Sequence, residues 1–189
     1  MAEYNTKMLI GVILGLIILV SGCTGDQNAN STNKSQPAVK TTASKIIVED
    51  VTGNRTDNTG AVSDNIQSLI IRAKPDSGTN SIDLRNVTIT IKDANNKYDL
   101  KYISTGTDGR VFTASPVRDD AGSFNTQAPV IHSGDLIAIE IGTKAISPIT
   151  LPIRKTFWIT LNLEFGKAVN LEITTPSSYG INRFVKLYP

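Results

Sequence analysis

The sequence predicts an all-β domain, an immunoglobulin-like β-sandwich, preceded by a short apolar N-terminal helix or signal segment. Three observations carry this. Through most of residues 45–189 apolar and polar side chains alternate with period two, Gly, Pro, Asn and Asp punctuate the alternating runs, and no helical stripe longer than a few turns is present. Seven or more short strands in about 145 residues suit two packed sheets.

The elements follow in order. Strands are expected at Ile46 to Val51 and Ile66 to Lys74. Val87, Ile89 and Ile91 alternate with Thr88, Thr90 and Lys92, while Ile82 and Leu84 are in the opposite phase, which predicts a bulge or a strand start near Arg85. Tyr98 to Ile103 and Leu136 to Ile141 come next. The strongest alternation places Phe157, Ile159, Leu161, Leu163 and Phe165 on one face and Trp158, Thr160, Asn162 and Glu164 on the other. Gly166-Lys167 then turns the chain into Val169, Leu171 and Ile173, a hairpin with one buried face, and Phe184 to Leu187 closes the set.

The N-terminus divides into two segments, 1–23 and 24–44. Met8 to Val20 is a run of 13 residues with no charged or polar side chain. As a helix it reaches roughly 20 Å, short of the roughly 30 Å hydrocarbon core of a bilayer, and its length matches the apolar region of a secretion signal. Lys7 flanks it on one side, and Ser21 and Gly22 close it ahead of Cys23, the one cysteine of the chain. This closing block is similar to a lipobox, which implies thioether lipidation of Cys23 and anchorage to a membrane through the N-terminus. The alternative is a small buried thiol, but a Cys between an apolar run and a polar linker has no core to enter. Residues 24–44 are dominated by Asn, Ser, Thr, Gln and Lys, too polar to bury a core, and predict a disordered linker with a mean span on the order of 25 Å. Glycosylation sequons stand at Asn30 and Asn33 in this linker and at Asn54 and Asn86 beyond it.

Composition closes several routes to function. Nineteen Lys and Arg against 17 Asp and Glu leave a net charge of +2 without a basic cluster, so no nucleic-acid partner is expected. One Cys and one His supply neither an internal disulfide nor a zinc ligand set. No cofactor, metal or small-molecule substrate is expected. His132 beside Ser133 and near Asp135 invites a triad reading, but neighbours in a strand point to opposite faces, and a nucleophile takes its base from a separate element. Asp119-Asp120 before Gly122 can offer oxygens to calcium, although a solvated turn explains them equally and no full ligand spacing follows. Trp158 lies on the polar face of the most strongly alternating strand. It is covered by a loop or second layer, or it is a subunit contact.

Read in order, the landmarks of 45–189 resemble the archaellins, subunits of the archaeal motility filament. Ile46-Ile47-Val48-Glu49-Asp50-Val51-Thr52-Gly53 leads to Gly60-Ala61-Val62, Pro75-Asp76-Ser77-Gly78 and Ser81-Ile82-Asp83-Leu84. Ser133-Gly134-Asp135-Leu136-Ile137, Thr174-Thr175-Pro176-Ser177-Ser178-Tyr179-Gly180 and Val185-Lys186-Leu187-Tyr188-Pro189 complete the set. The resemblance implies an exposed, often glycosylated outer β-sandwich without catalytic residues, in a cell-surface structural protein whose partners are like subunits or surface-layer proteins. The N-terminus departs from it. Archaellins begin with Lys or Arg followed by Gly and a long apolar helix bearing an early Glu, whereas here Lys7 precedes Met8 and the run stops at Cys23. A sandwich hung from a short N-terminal segment also resembles the archaellum stator proteins. The alternative is therefore a lipid-anchored surface lipoprotein whose sandwich binds a surface-layer protein, glycan or other ligand.

Overall fold

The computed structural model describes residues 44–189 apart from Asn80, Thr107 and Asp108. The expectations for the signal segment, most of the linker, Cys23, Asn30 and Asn33 lie outside the described residues. The strands are β1 (Ile46–Asn54), β2 (Ser68–Pro75), β3 (Ile82–Asp83), β4 (Thr88–Lys92), β5 (Lys97–Tyr102), β6 (Val111–Arg118), β7 (Val130–Ile131), β8 (Leu136–Gly142), β9 (Thr156–Asn162), β10 (Val169–Thr174) and β11 (Phe184–Tyr188).

Nine of them form one hydrogen-bonded series, β10-β9-β4-β5-β6-β8-β2-β1-β11, which is antiparallel except between β5 and β6. Strand β6 makes this series into two layers. Its first residues, Val111 and Phe112, pair with Lys101 and Tyr102 of β5, and from Thr113 onward it pairs with β8. The layers are thus β10-β9-β4-β5 and β6-β8-β2-β1-β11, joined at one corner. β3 and β7 make a separate two-stranded ribbon.

Alternation explains the core. Ile89, Ile91, Leu100, Phe157, Ile159, Leu161 and Ile173 of the first layer and Val51, Leu69, Ile71, Ala73, Ile137, Ile139 and Ile141 of the second fall into one buried cluster. The registers place these residues opposite one another across the strands, Ile91 against Ile159 and Ile71 against both Val51 and Ile139. All-β packing in two layers is as the sequence predicts.

Four details refine or correct the expectation. The bulge or strand start expected near Arg85 is a 3-10 turn at Leu84–Asn86 that leads into β4; Asp83 caps it, its carboxylate accepting from the Arg85 backbone N–H at 3.0 Å. Strand β9 ends at Asn162; Leu163 beyond it still packs half-buried against the core, but Phe165 leaves the buried face and is 61% exposed. The expected tight hairpin at Gly166-Lys167 is instead a longer loop, because Gly166 pairs with Ser44 where the chain enters the domain. At φ +136° a Cβ on Gly166 would stand 1.9 Å from the Ser44 carbonyl oxygen, so only glycine lets the entering backbone pass. Strand β6 was not expected at all. Its Thr-Ala-Ser-Pro run gives little apolar alternation, and Pro116 is tolerated because that stretch is a sheet edge with a register shift.

One polar contact ties a turn to the layer beside it. The Asp93 carboxylate, buried between β4 and β5, accepts from Lys155 Nζ at 2.9 Å and from the backbone N–H groups of Asn95 and Asn96. Lys155 and these N–H groups hold its pKa well below the ordinary carboxylate range. A carboxylate whose folded pKa is depressed stabilises the fold fully above its unfolded pKa of about 4 and loses that contribution as pH falls through the folded value. Asp93→Asn is expected to cost about 1–2 kcal/mol at neutral pH. The gap between variant and parent in thermal melts should narrow as pH is lowered from 6 to 2; an unchanged gap would mean that the Lys155 pair contributes nothing.

Candidate interaction surface

Strand directions define two poles. The near pole, where the chain enters at Ser44, carries the loops 75–87, 119–135 and 163–168, and the far pole, where β1 ends, carries 55–67, 143–155 and 175–183. Between them lie the two outward faces of the layers.

The outward face of β10-β9-β4-β5 is hydroxyl-rich and largely hydrogen-bonded to itself. Thr90 donates to Asp99 at 2.6 Å, Thr160 to Asn170 at 2.8 Å and Lys101 to Thr88 at 2.5 Å, while the hydroxyls of Thr156 and Thr174 are 2.8 Å apart. Trp158 is set in this face, half-buried, in register with Lys92 on one side and Glu172 on the other. The Lys92 ammonium sits 5.3 Å from its ring centre. The second layer presents a different face, in which Asp50 pairs with Arg72 and Glu49 with Lys74, beside an exposed Phe184.

The far pole is organised by a residue that sequence reasoning passed over. Arg55 is 5% exposed, yet it forms no ion pair with a described carboxylate. Its Nε donates to the Ser63 carbonyl at 2.6 Å, and its Nη1 donates to the carbonyls of Gly180 and Asn182 at 3.0 and 2.9 Å. The guanidinium also lies over the Tyr179 ring at 5.3 Å, and the buried Tyr179 hydroxyl donates to the Leu151 carbonyl at 2.9 Å. Burial raises the Tyr179 pKa above its ordinary value. One cation thus ties the 55–67 loop to the 175–183 loop, and the Tyr179 hydroxyl links the latter to 143–155. Arg183 adds a second clasp, donating to Thr56 Oγ1 and to the Gly60 carbonyl, both at 3.0 Å.

The sequon residues fall at opposite poles. Asn54 closes β1 at the far pole, its Oδ1 accepting from the Thr56 backbone N–H at 2.9 Å, and lines an open groove of about 300 Å³ with Gln67, Glu140 and Lys144. Asn86 is exposed on the 3-10 turn at the near pole, and its Nδ2 donates to Glu164 at 2.5 Å.

The groups weighed for catalysis or metal binding lie in near-pole turns. His132 faces Ser123, with Nδ1 3.5 Å from its hydroxyl, and not Ser133. The buried Asp135 carboxylate accepts from the His132 backbone N–H at 2.7 Å and so fixes the turn into β8. Asp119 accepts from the backbone N–H groups of Phe124 and Ser123, which lower its pKa, while Asp120 is exposed. Among the described residues no group of three or more His, Cys, Asp or Glu side chains could hold a metal ion.

No family model matches the chain. A curated relative, Flagellin B2 of Methanocaldococcus jannaschii, is 31% identical over 133 residues, 60% of this chain and 61% of the relative. The crystal structure of archaeal flagellin FlaB1 from the same organism superposes with a TM-score of 0.65 at 23% identity, covering 77% of this chain and 98% of that one. The domain has the archaeal flagellin fold. A second solved structure, the archaeal flagellum of Methanospirillum hungatei strain JF1, aligns at a TM-score of 0.51 and 12% identity, over 77% of this chain and 71% of the other. The resemblance to archaellins carried by the ordered motifs is therefore met by a sequence relative and by the flagellin fold. The chain spans about three fifths of the length of the curated relative it matches.

Proposed function

We propose that this chain is a non-enzymatic structural protein of the archaeal motility filament, a subunit or accessory component, exposed at the cell surface. The observation that carries the reading is the 31% identity to a flagellin across 133 residues. The flagellin fold of the domain supports it, because the same two-layer core is kept where identity drops to 23%. Its partners are other archaellum subunits or surface-layer proteins. Deleting the gene and imaging cells by negative stain should alter filament number or length and reduce swimming; unchanged filaments and motility would count against a place in the filament.

Further assignments belong to this reading. Residues 24–44 act as a polar linker ahead of the 45–189 domain. Asn54 and Asn86 accept glycans, Asn86 from an exposed turn and Asn54 beside an open groove, and Asn30 and Asn33 do so from the linker. Trp158 contacts a neighbouring subunit, an aromatic ring being the side chain best suited to anchor a contact on an otherwise hydroxyl-rich face. Trp158→Ala should leave the melting temperature within about 3 °C of the parent while reducing incorporation into filaments; a large loss of thermal stability would assign the ring to the fold instead.

A second reading is favoured by the N-terminus. The 13-residue apolar run closing at Cys23 suits a lipid-anchored surface protein whose sandwich binds a surface-layer protein or glycan. Intact-mass and N-terminal analysis of the membrane-extracted chain separates the two. A lipid on Cys23 supports the tethered form, and cleavage near Lys7 the filament subunit.

A further inference from the structure

One groove at the far pole is furnished unlike the rest of the surface. It has a volume of about 300 Å³ and is lined by Asn54, Asn58, Gln67, Glu140 and Lys144, together with the buried Ser68. Gln67 fastens its walls: the backbone N–H donates to the Asn54 carbonyl at 2.7 Å, and the backbone carbonyl accepts from the Thr143 N–H at 2.8 Å. The end of β1, the 55–67 loop and the 3-10 turn at Thr143–Ile146 are thus held as one frame. A frame built before a ligand arrives lowers the ordering cost of binding.

The side chains in this frame are uncommitted. Among the described residues Glu140 and Lys144 form no ion pair, with each other or with any other group. Oδ1 of Asn54 is taken by the Thr56 N–H, but no described group takes its Nδ2 or the Asn58 amide. The hydroxyl face around Trp158 is the opposite case, with Thr90 bonded to Asp99 and Thr160 to Asn170. The groove beside Tyr179 adds Pro152 and Ile153, and in that beside Phe184 the Asp50 carboxylate is already paired with Arg72.

These groups select a class of ligand. A carboxylate accepts, an ammonium donates, amides do both, and the two charges cancel. An apolar molecule finds no large apolar side chain in the groove, and an inorganic anion meets Glu140 beside Lys144. A ring bearing several adjacent hydroxyls, each able to donate and to accept, matches the whole set. The volume lies at the lower end for a small-molecule site, which suits one or two rings rather than a long chain.

We propose that this groove is a saccharide site, taking one or two sugar rings against Asn58, Glu140 and Lys144. Two sources present that chemistry. Asn54 is both a wall of the groove and a sequon residue, so a glycan on its Nδ2 starts at the site; a sugar of a neighbouring surface molecule enters from solvent. The first source rests on Asn54 accepting a glycan, and the second needs only the groove. A tethered sugar meets the groove at an effective concentration on the order of mM, so an affinity for free sugar in that range keeps it seated.

The full chain, made in a bacterial host that attaches no glycan and held in detergent, tests the site by saturation-transfer NMR with glucose, N-acetylglucosamine and glucuronic acid at mM concentrations. At least one of the three is expected to receive saturation. A variant carrying Glu140→Ala and Lys144→Ala should lose affinity by about tenfold or more, because two hydrogen bonds to charged groups go. Both side chains are exposed, so its melting temperature should stay within about 3 °C of the parent, which separates lost binding from lost fold. No transfer to any of the three sugars, or transfer that the double substitution leaves unchanged, would overturn the proposal. The chain from its own host then separates the sources. A glycan found by mass on the Asn54 peptide, with free sugar no longer bound, assigns the groove to the chain's own glycan. Free sugar still bound assigns it to sugars from outside, and a bare Asn54 peptide in that case removes the glycan assignment to Asn54 while the groove stands.

Discussion

Arg55→Leu is expected to destabilise the domain by about 3–4 kcal/mol, which for a domain of this size lowers the melting temperature by roughly 10 °C. The side chain is buried and satisfies the carbonyls of Ser63, Gly180 and Asn182, which lie on two different loops. Leucine fills part of the volume but donates nothing, so those carbonyls are left short of donors and the Tyr179 ring loses the cation lying over it. Arg55→Lys should recover only part of the loss, because one ammonium cannot reproduce the planar fork that reaches both loops. Hydrogen exchange should show the 55–67 and 175–183 segments opening before the β4–β9 centre does. A melting temperature within about 2 °C of the parent would mean that the far-pole loops are held by the strands alone.

Phe157→Ala is expected to cost about 3–5 kcal/mol, enough to leave the domain marginal or unfolded at 37 °C. Phe157 is fully buried on β9, in the layer that β4 and β10 flank on either side. Removing the ring opens a cavity between the layers that rigid cross-strand neighbours cannot collapse to fill. Its sequence neighbour Trp158 points to the other side of the same strand, so the two truncations, equally drastic in size, should differ by several-fold in their effect on unfolding free energy. Denaturant midpoints measured side by side settle this, and equal losses would contradict the strand's placement in the sandwich.

Much of the fold was legible because period-two alternation reports directly which face of a strand is buried. The runs at Ile46, Val87, Leu136 and Phe157 needed no other information. What escaped has a physical reason in each case. β6 has Ser115 to Arg118 exposed and a proline within it, so its alternation is weak and its role as the strand joining two layers is a property of topology. Phe165 continues the apolar phase of β9 on paper but leaves the strand because Ser44, more than a hundred residues earlier, pairs with Gly166. Arg55 stands inside an Asn-Arg-Thr sequon, and nothing local marks an arginine that loops from residues 63 and 180 bury.

The fold thus separates roles along its length. A self-bonded hydroxyl face carries Trp158, a near pole receives the chain, and a far pole is braced by a buried cation. The central claim is that the chain stands in a filament. Mass spectrometry of filaments sheared from cells and purified away from membranes tests that most directly. Peptides spanning 45–189 should be recovered from the filament fraction in proportion to filament mass. Their absence there, with the whole pool in the membrane fraction and a lipid on Cys23, would contradict it.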